Sequence, residues 1–308
     1  MPPKFKSDFA PEWLALAALA ALNLLWGQVI GFHLTAGWGD GKLIGCGIAA
    51  MLLLRWLWPR GVMMAEYFSL TAAATMVFGV LSYLSLASSR AMADAPLLAA
   101  DRALGFDWLA GYHFLLAHPL LASVLGFAYG SMVYQALYFC VLFSLMDKKQ
   151  QLREMFWLVL VMGLLTSAGV LLFPALGPYN TFHAGPPDNF VPVMKHLKSG
   201  KDLSFALGQM TGVVSFPSFH TAMALAYIWG FRRTGPIGWA ITALNLVMLC
   251  AIPYFGGHYL VDMIAGAGVM LLSLAATRLW FGRLAGARDN AVRVEKPAYA
   301  ERGACQSL

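Results

Sequence analysis

Long uncharged apolar runs recur along most of the chain and constrain its fold more than any other feature. A membrane-spanning helix needs about 20 consecutive, mostly apolar residues. Only 12% of the 308 residues are charged, against roughly 25% in ordinary soluble domains. We therefore predict an all-α, polytopic helical membrane protein with about eight transmembrane helices, at roughly 12–35, 42–58, 62–89, 119–146, 153–173, 213–231, 237–255 and 258–281.

The basic residues predict how these helices are oriented. If successive helices alternate in direction, 15 lysines and arginines fall on the side that holds both termini, and six fall on the other. Such an excess marks the cytoplasmic side of a plasma or inner membrane. The run from Trp13 to about Phe32 is too long for a signal peptide and is read as a retained helix. Because the basic residues form no single stripe, the net charge of +6 does not indicate a nucleic-acid partner.

Composition divides the chain into four predicted regions. Residues 1–90 are N-terminal transmembrane helices, and 91–118, which mix acidic with apolar residues, suit an interfacial segment on the membrane surface. Residues 119–284 form the catalytic transmembrane core, which includes a long proline- and glycine-containing loop at 174–212. Residues 285–308 are polar and are expected to be a disordered cytoplasmic tail.

The four cysteines point neither to a metal site nor to a disulfide framework. Cys46, Cys140 and Cys250 lie inside apolar runs, and Cys305 lies in the polar tail. No C-x-x-C spacing is present. No metal and no other cofactor is predicted.

Two histidine segments at helix starts carry the candidate chemistry, and both fall on the extracytoplasmic side by charge counting alone. The first runs from Ser215 to His220, with Ser215 as expected N-cap, and the second runs from Gly256 to Asp262. Ionisable residues in membrane helices are costly and usually functional. His258 and Asp262 are four residues apart, so a helix would place them on one face. The carboxylate could then fix the imidazole tautomer and leave the other nitrogen as a nucleophile or base.

These parts suggest an order of events at a phosphate. The free N–H groups of the helix starts favour an anion, Ser218 adds a hydroxyl donor, and Gly257 leaves room for a group to approach the backbone. His258 would attack phosphorus, His220 would protonate the departing oxygen, and Asp262 would stabilise the imidazolium. Water or an alcohol would then take the phosphoryl group from histidine.

The same segments resemble signatures of the type 2 phosphatidic acid phosphatase superfamily. Phe216-Pro217-Ser218-Phe219-His220 is similar to its second signature, and Gly257-His258-Tyr259-Leu260-Val261-Asp262 to the end of its third. The residues from Asp101 to Trp108 and the pair Tyr134-Gln135 resemble the branch that includes inositol phosphorylceramide synthase. Over roughly residues 100–282 the resemblance implies a six-helix phosphatase-like core, lipid phosphate substrates, a phosphohistidine intermediate and no metal. It implies His258 as nucleophile, Asp262 as its partner and His220 as general acid.

The chain departs from the superfamily pattern in the cations that would hold the phosphate. The first signature, with a lysine and an arginine before proline, is absent, and Ile252 stands where the third usually has arginine. The nearest basic cluster on the outer side is Lys195, Lys198 and Lys201, of which Lys198 is the first candidate and Lys195 the second. These lysines could instead form a solvated loop that meets anionic headgroups.

Other residues and other functions stay open at this point. Tyr179 is a candidate for lining a headgroup pocket, and His183 and Asp188 could shape an acceptor site or simply form turns. The leading hypothesis is an enzyme that transfers a phosphoryl or phosphoalcohol group from a lipid phosphate to an alcohol or water. The alternatives are a lipid phosphate phosphatase only, or a non-enzymatic lipid-binding or transport protein, which would need charges or broken helices near the bilayer midplane. The oligomeric state is left open.

Overall fold

The fold is that of a computed structural model, which describes residues 7–35, 53 and 58–295. These residues contain eleven α-helices, one short 3-10 helix and a two-stranded parallel sheet. In chain order the helices are α1 Ala10–Ile30, α2 Pro59–Ala87, α3 Asp94–Ala103, α4 Trp108–Ala117, α5 Pro119–Leu145, α6 Lys149–Leu172, α7 Pro178–Thr181, α8 Val191–Ser199, α9 Phe219–Phe231, α10 Pro236–Phe255 and α11 Leu260–Glu295, and the strands are β1 His33–Thr35 and β2 Ser204–Ala206.

Six of these helices are long and apolar enough to cross a membrane. They are α1, Gly61–Ala87 of α2, α5, α6, α10 and Leu260–Phe281 of α11. With little sheet beside them, they confirm the predicted all-α, multi-pass membrane protein.

Two of the eight predicted spans are not among these six. The segment 42–58 lies outside the described residues except for positions 53 and 58. The segment 213–231 is helical only from Phe219, because Ser218 caps the helix in an extended conformation directly after Pro217. The resulting α9 has 13 residues, or about 20 Å of helix, which is shorter than the roughly 30 Å hydrocarbon layer.

The predicted interfacial segment forms two helices instead of one. α3 and α4 are separated by Gly105, whose φ of 73° ends the first helix. Asp101 on α3 is only 1% exposed, so this acidic residue faces the protein interior and not solvent.

The predicted loop 174–212 carries short elements of its own. It contains α7, α8, β2 and the 3-10 helix Leu207–Gln209. β2 pairs with β1 in a parallel register that matches His33 with Ser204. The segment after α1 is thereby joined to the segment before α9.

The last helix extends further than the sequence predicts. α11 continues to Glu295, so residues 285–295 of the expected disordered tail are helical. This stretch includes alanine, arginine and glutamate, which have high helix propensity. Residues 296–308 of the predicted tail lie outside the part of the chain that the structure describes.

The helices pack closely where glycine faces a neighbour. A Cβ on Gly163 of α6 would lie 2.4 Å from the Phe78 ring of α2. A Cβ on Gly266 of α11 would lie 2.3 Å from the backbone oxygen of Ser218, at the start of α9. Small residues allow such close approach between membrane helices. Gly266 therefore determines how near the start of α9 can come to α11.

We expect Gly266→Ala to destabilise the protein by roughly 1–3 kcal/mol, because the added methyl group meets backbone that cannot rotate away. Gly268→Ala is the matched control, since nothing lies within 4 Å of its ideal Cβ. Alanine is also the better helix former there. Thermal melting of both variants in detergent measures the difference. Equal melting temperatures would contradict the assigned contact.

Candidate active site

The start of α9 is fixed directly to α11. The Ser218 N–H donates to the carbonyl oxygen of Asp262 at 2.9 Å. The Ser218 hydroxyl oxygen accepts hydrogen bonds from the Thr221 N–H and Thr221 Oγ1, at 3.3 and 3.2 Å. Ser218, and not Ser215 as the sequence suggests, is therefore the N-cap of α9. Its buried hydroxyl only accepts in these two bonds, so the predicted role of its O–H as a donor stays a prediction.

His258 and Asp262 lie side by side. His258 Nδ1 is 3.5 Å from Asp262 Oδ2, and both side chains are almost completely buried. α11 begins at Leu260, so His258 lies in the turn before the helix and not inside it. The backbone N–H of His258 donates to the carbonyl of Pro253 at 3.1 Å, and this bond holds the turn against the end of α10.

His220 completes a group of three ionisable side chains. The centroid of its ring lies 6.3 Å from that of His258, with 58° between the planes. Its other neighbour is Tyr129 of α5, stacked at 4.6 Å and 13°. The structure thus brings His220, His258 and Asp262 together, although about 40 residues separate the two segments.

Three glycines allow close packing around the turn that carries His258. A Cβ on Gly256 would lie 2.6 Å from His258 Cδ2, and one on Gly177 would lie 2.4 Å from the carbonyl oxygen of Gly257. A Cβ on Gly257 would lie 2.8 Å from the Tyr179 ring. The room predicted at Gly257 is therefore filled by Tyr179.

Tyr179 is buried against the turn that carries His258. It is 4% exposed, and its hydroxyl donates to the Tyr254 carbonyl at 2.6 Å. The ring packs edge-on against Trp108 of α4, with centroids 6.0 Å apart. Tyr179 therefore supports the backbone that carries His258, and its hydroxyl is occupied by another residue.

Two carboxylates accept hydrogen bonds from the backbone N–H groups at the N-terminus of α11. Asp101 accepts the N–H of Leu260 and of Val261, both at 2.9 Å. Asp262 Oδ2 accepts the N–H of Tyr259 at 2.8 Å. These three donors, which the sequence suggested for phosphate, are thus occupied. Burial raises the pKa of the Asp101 carboxyl, and the hydrogen bonds from Val261 and Leu260 act in the opposite direction.

A second aspartate on α3 holds the loop that faces His258. Asp94 accepts the N–H of Leu176 at 3.0 Å and of Gly177 at 2.8 Å. Asp94 and Asp101 are seven residues apart, so they lie on one face of α3. That spacing was the available sequence signal for this pair of anchoring residues. Tyr129 lies in an apolar run that gives no comparable signal.

The α9 N-terminus differs from that of α11. In the described part of the chain, the N–H groups of Phe219 and His220 donate no hydrogen bond to another residue. Two backbone donors beside the histidine pair are therefore free, which suits an anion.

The predicted cation cluster does not act as one unit. Lys198 Nζ donates to Ser89 O, Ser89 Oγ and Arg90 O at 2.8–2.9 Å, which uses all three donors of an ammonium. Burial lowers the pKa of Lys198. Lys201 follows α8 and is exposed.

Lys195 lies in a different setting, with His183. Both line a cavity of about 250 Å³ that Tyr179, Asn180 and several loop residues also border. His183 has a φ of 50°, and Asp188 is exposed and does not line this cavity. Across the described ranges, no hydrogen bond or ion pair joins a lysine or arginine to His220, His258 or Asp262.

We expect Asp101→Asn to lower stability by about 1–2 kcal/mol, because an amide has one acceptor oxygen for two N–H groups and its NH₂ faces a donor. Asp107→Asn is the control: Asp107 accepts a single N–H, from Ala110, and is exposed. Asparagine serves such a cap nearly as well. Thermal melting compares the two variants. If Asp107→Asn lowers the melting temperature as much as Asp101→Asn does, the role assigned to Asp101 at the start of α11 is wrong.

Comparison with known proteins identifies the family. A sequence model described as the PAP2 superfamily matches residues 95–276, which is more than half of the chain and includes both histidine segments. No curated protein and no solved structure matches the chain. The matched range runs from α3 into α11 and includes Asp101, Tyr129, His220, His258 and Asp262, whereas Asp94 lies one residue before it. Membership indicates activity of the lipid phosphatase or phosphotransferase type. The chain is a multi-pass membrane protein that belongs to the PAP2 superfamily.

Proposed function

We propose that this protein is a membrane enzyme that transfers a phosphoryl or phosphoalcohol group from a lipid phosphate, through a phosphohistidine, to an alcohol or water. The supporting observation is that two imidazoles and one carboxylate from distant segments lie together at the starts of α9 and α11. His258 is the nucleophile, Asp262 orients it, and His220 is the general acid.

The position of Asp262 supports different roles for the two nitrogens of His258. Nδ1 faces the Asp262 carboxylate at 3.5 Å, so Nε2 is left to attack phosphorus. The N–P bond forms as the P–O bond to the leaving alcohol breaks, and His220 gives that oxygen a proton. The buried carboxylate stabilises the positive charge that develops on the ring. In the second half-reaction His220 takes the proton of the acceptor, whose oxygen replaces nitrogen on phosphorus.

The negative charge of the phosphate needs hydrogen-bond donors close to the histidines. The start of α9 supplies two backbone N–H groups that have no acceptor among the described residues. The N–H groups of Phe219 and His220 point out of the helix start, where the helix dipole is positive. Lys195, from the cavity beside Tyr179, is the cation proposed for the headgroup side. Lys198 is not retained for this role, since Ser89 and Arg90 occupy its ammonium.

The same arrangement supports the proposed substrate class and side of the membrane. A lipid phosphate brings its phosphate to the bilayer surface, and both histidines lie at helix starts. The charge distribution supports an extracytoplasmic site with both termini in the cytoplasm. The resemblance of the segments around Asp101 and Tyr134-Gln135 to the inositol phosphorylceramide synthase branch supports an alcohol acceptor.

We expect His258→Ala to lower turnover of ³²P-labelled phosphatidic acid in mixed micelles by at least about 10³-fold while the protein still folds, because the nucleophile is lost. His113→Ala, at an exposed histidine of α4, should retain wild-type turnover. Acid-labile, base-stable label should appear on the wild-type protein and not on the His258 variant. Wild-type turnover by His258→Ala would rule out this mechanism.

The acceptor is identified by running the same assay with and without a lipid alcohol. Release of free phosphate without the alcohol indicates a hydrolase, and labelled product only in its presence indicates a transferase.

We expect Tyr129→Leu to lower kcat by roughly 2–10-fold, because the aromatic stack that fixes the His220 ring is worth about 0.5–1.5 kcal/mol. Tyr129→Phe keeps the stack and should restore kcat. Steady-state kinetics on the same lipid separates kcat from KM. A Phe variant as impaired as the Leu variant would show that the hydroxyl, and not the stacking, matters.

A further inference from the structure

Two arginines lie over one tryptophan, at the C-terminal end of α9 and near the end of the membrane-spanning part of α11, away from the histidines. The Arg232 guanidinium carbon lies 4.2 Å from the centroid of the Trp229 ring, and that of Arg278 lies 6.0 Å from it. Arg232 also donates to the Trp229 carbonyl, which holds it over the indole. Arg233 follows directly in the chain and is exposed.

This arginine group carries charge that its surroundings do not neutralise. On the same side, Lys149 pairs with Asp8 and Arg153 pairs with Glu12. Within the described residues, none of Arg232, Arg233 and Arg278 has a carboxylate within 4.0 Å. Burial, then the charges of Arg233 and Arg278, lower the pKa of Arg232, and Glu154 is the neighbouring acidic group that opposes them. An anion bound here would relieve this repulsion.

The Trp229 indole is held in place as a platform for the arginines. Its Nε1 is buried and has no hydrogen-bond acceptor in the part of the chain that the structure describes. An anion at the arginines would therefore meet the guanidinium groups and not this enclosed N–H.

The surface next to the arginine group is apolar. On α11, Leu271, Leu272, Leu279 and Trp280 are 56–65% exposed. Arg278 lies among them, within the membrane-spanning part of the helix. Because these side chains lie in the membrane-spanning part of α11, lipid acyl chains cover them, and the headgroup of a lipid at this position can meet the arginines.

We propose that Arg232, Arg233 and Arg278 bind the phosphate of an anionic phospholipid in the membrane leaflet opposite the histidine site. Guanidinium groups form paired hydrogen bonds to phosphate, and basic pockets between membrane helices on the cytoplasmic side bind anionic headgroups. Arg232 is about 18 Å along α9 from His220, and Arg278 is about 24 Å along α11 from Asp262. The lipid is therefore not the substrate but a ligand that links the C-terminal end of α9 to α11, far from the histidine site.

Thermal melting of the purified full chain in detergent micelles tests the proposal. Added phosphatidylglycerol should raise the melting temperature of the wild type by roughly 4–8 °C at saturation, and phosphatidylcholine should not. The double variant Arg232→Gln/Arg278→Gln should lose the rise. The matched control, Arg90→Gln/Arg102→Gln, removes two exposed arginines on the other side of the membrane and should keep it.

Three results would overturn the proposal: no rise in the wild type, an equal rise in the two double variants, or an equal rise with inorganic phosphate alone. If the glutamine variant does not fold, Arg232→Lys/Arg278→Lys takes its place. Lysine keeps the charge but loses paired hydrogen bonding, so less than half of the rise should remain. A full rise in the lysine variant would contradict guanidinium recognition of the lipid.

Discussion

The hydrogen bond from the Ser218 N–H to the Asp262 carbonyl joins the two segments on which the whole site depends. It requires backbone contact between α9 and α11, and the glycine at 266 permits that contact. Ser218 lies two residues before His220, and Asp262 itself carries the carboxylate. A small shift at this junction would therefore move the His220 imidazole relative to Asp262. Backbone and not side chains therefore sets the spacing of the site, as close packing in membrane helices allows.

Two carboxylates on one face of α3 hold the backbone on either side of His258. Asp101 holds the first turn of α11, and Asp94 holds the backbone at Gly177. A helix N-terminus with its donors occupied cannot also hold a phosphate, so the two helix starts have different tasks. α11 is locked in place and presents its side chains, whereas α9 keeps backbone donors free.

Much of this could be predicted from the sequence, because apolar run length and side-chain periodicity are local properties. The helical membrane fold followed from such patterns. The meeting of His220 with His258 and Asp262 was expected from their chemistry and from charge counting, which placed both segments at helix starts on one side of the membrane. The start of α9 at Phe219 was not predicted, because Ser215 and Ser218 are both suitable N-caps and Pro217 suits the first turn of a helix that begins after Ser215. The roles of Asp101, Tyr129 and Lys198 depend on contacts between distant segments, which one sequence does not reveal.

The burial of His258 affects the balance between the two possible outcomes of the proposed chemistry. With its side chain 2% exposed, a phosphoryl group held on this ring would be shielded from bulk water. Hydrolysis and transfer would then differ in which oxygen nucleophile can reach phosphorus, and not in the catalytic residues. The lifetime of the covalent intermediate would be set by how readily the protein opens around a ring that it otherwise encloses.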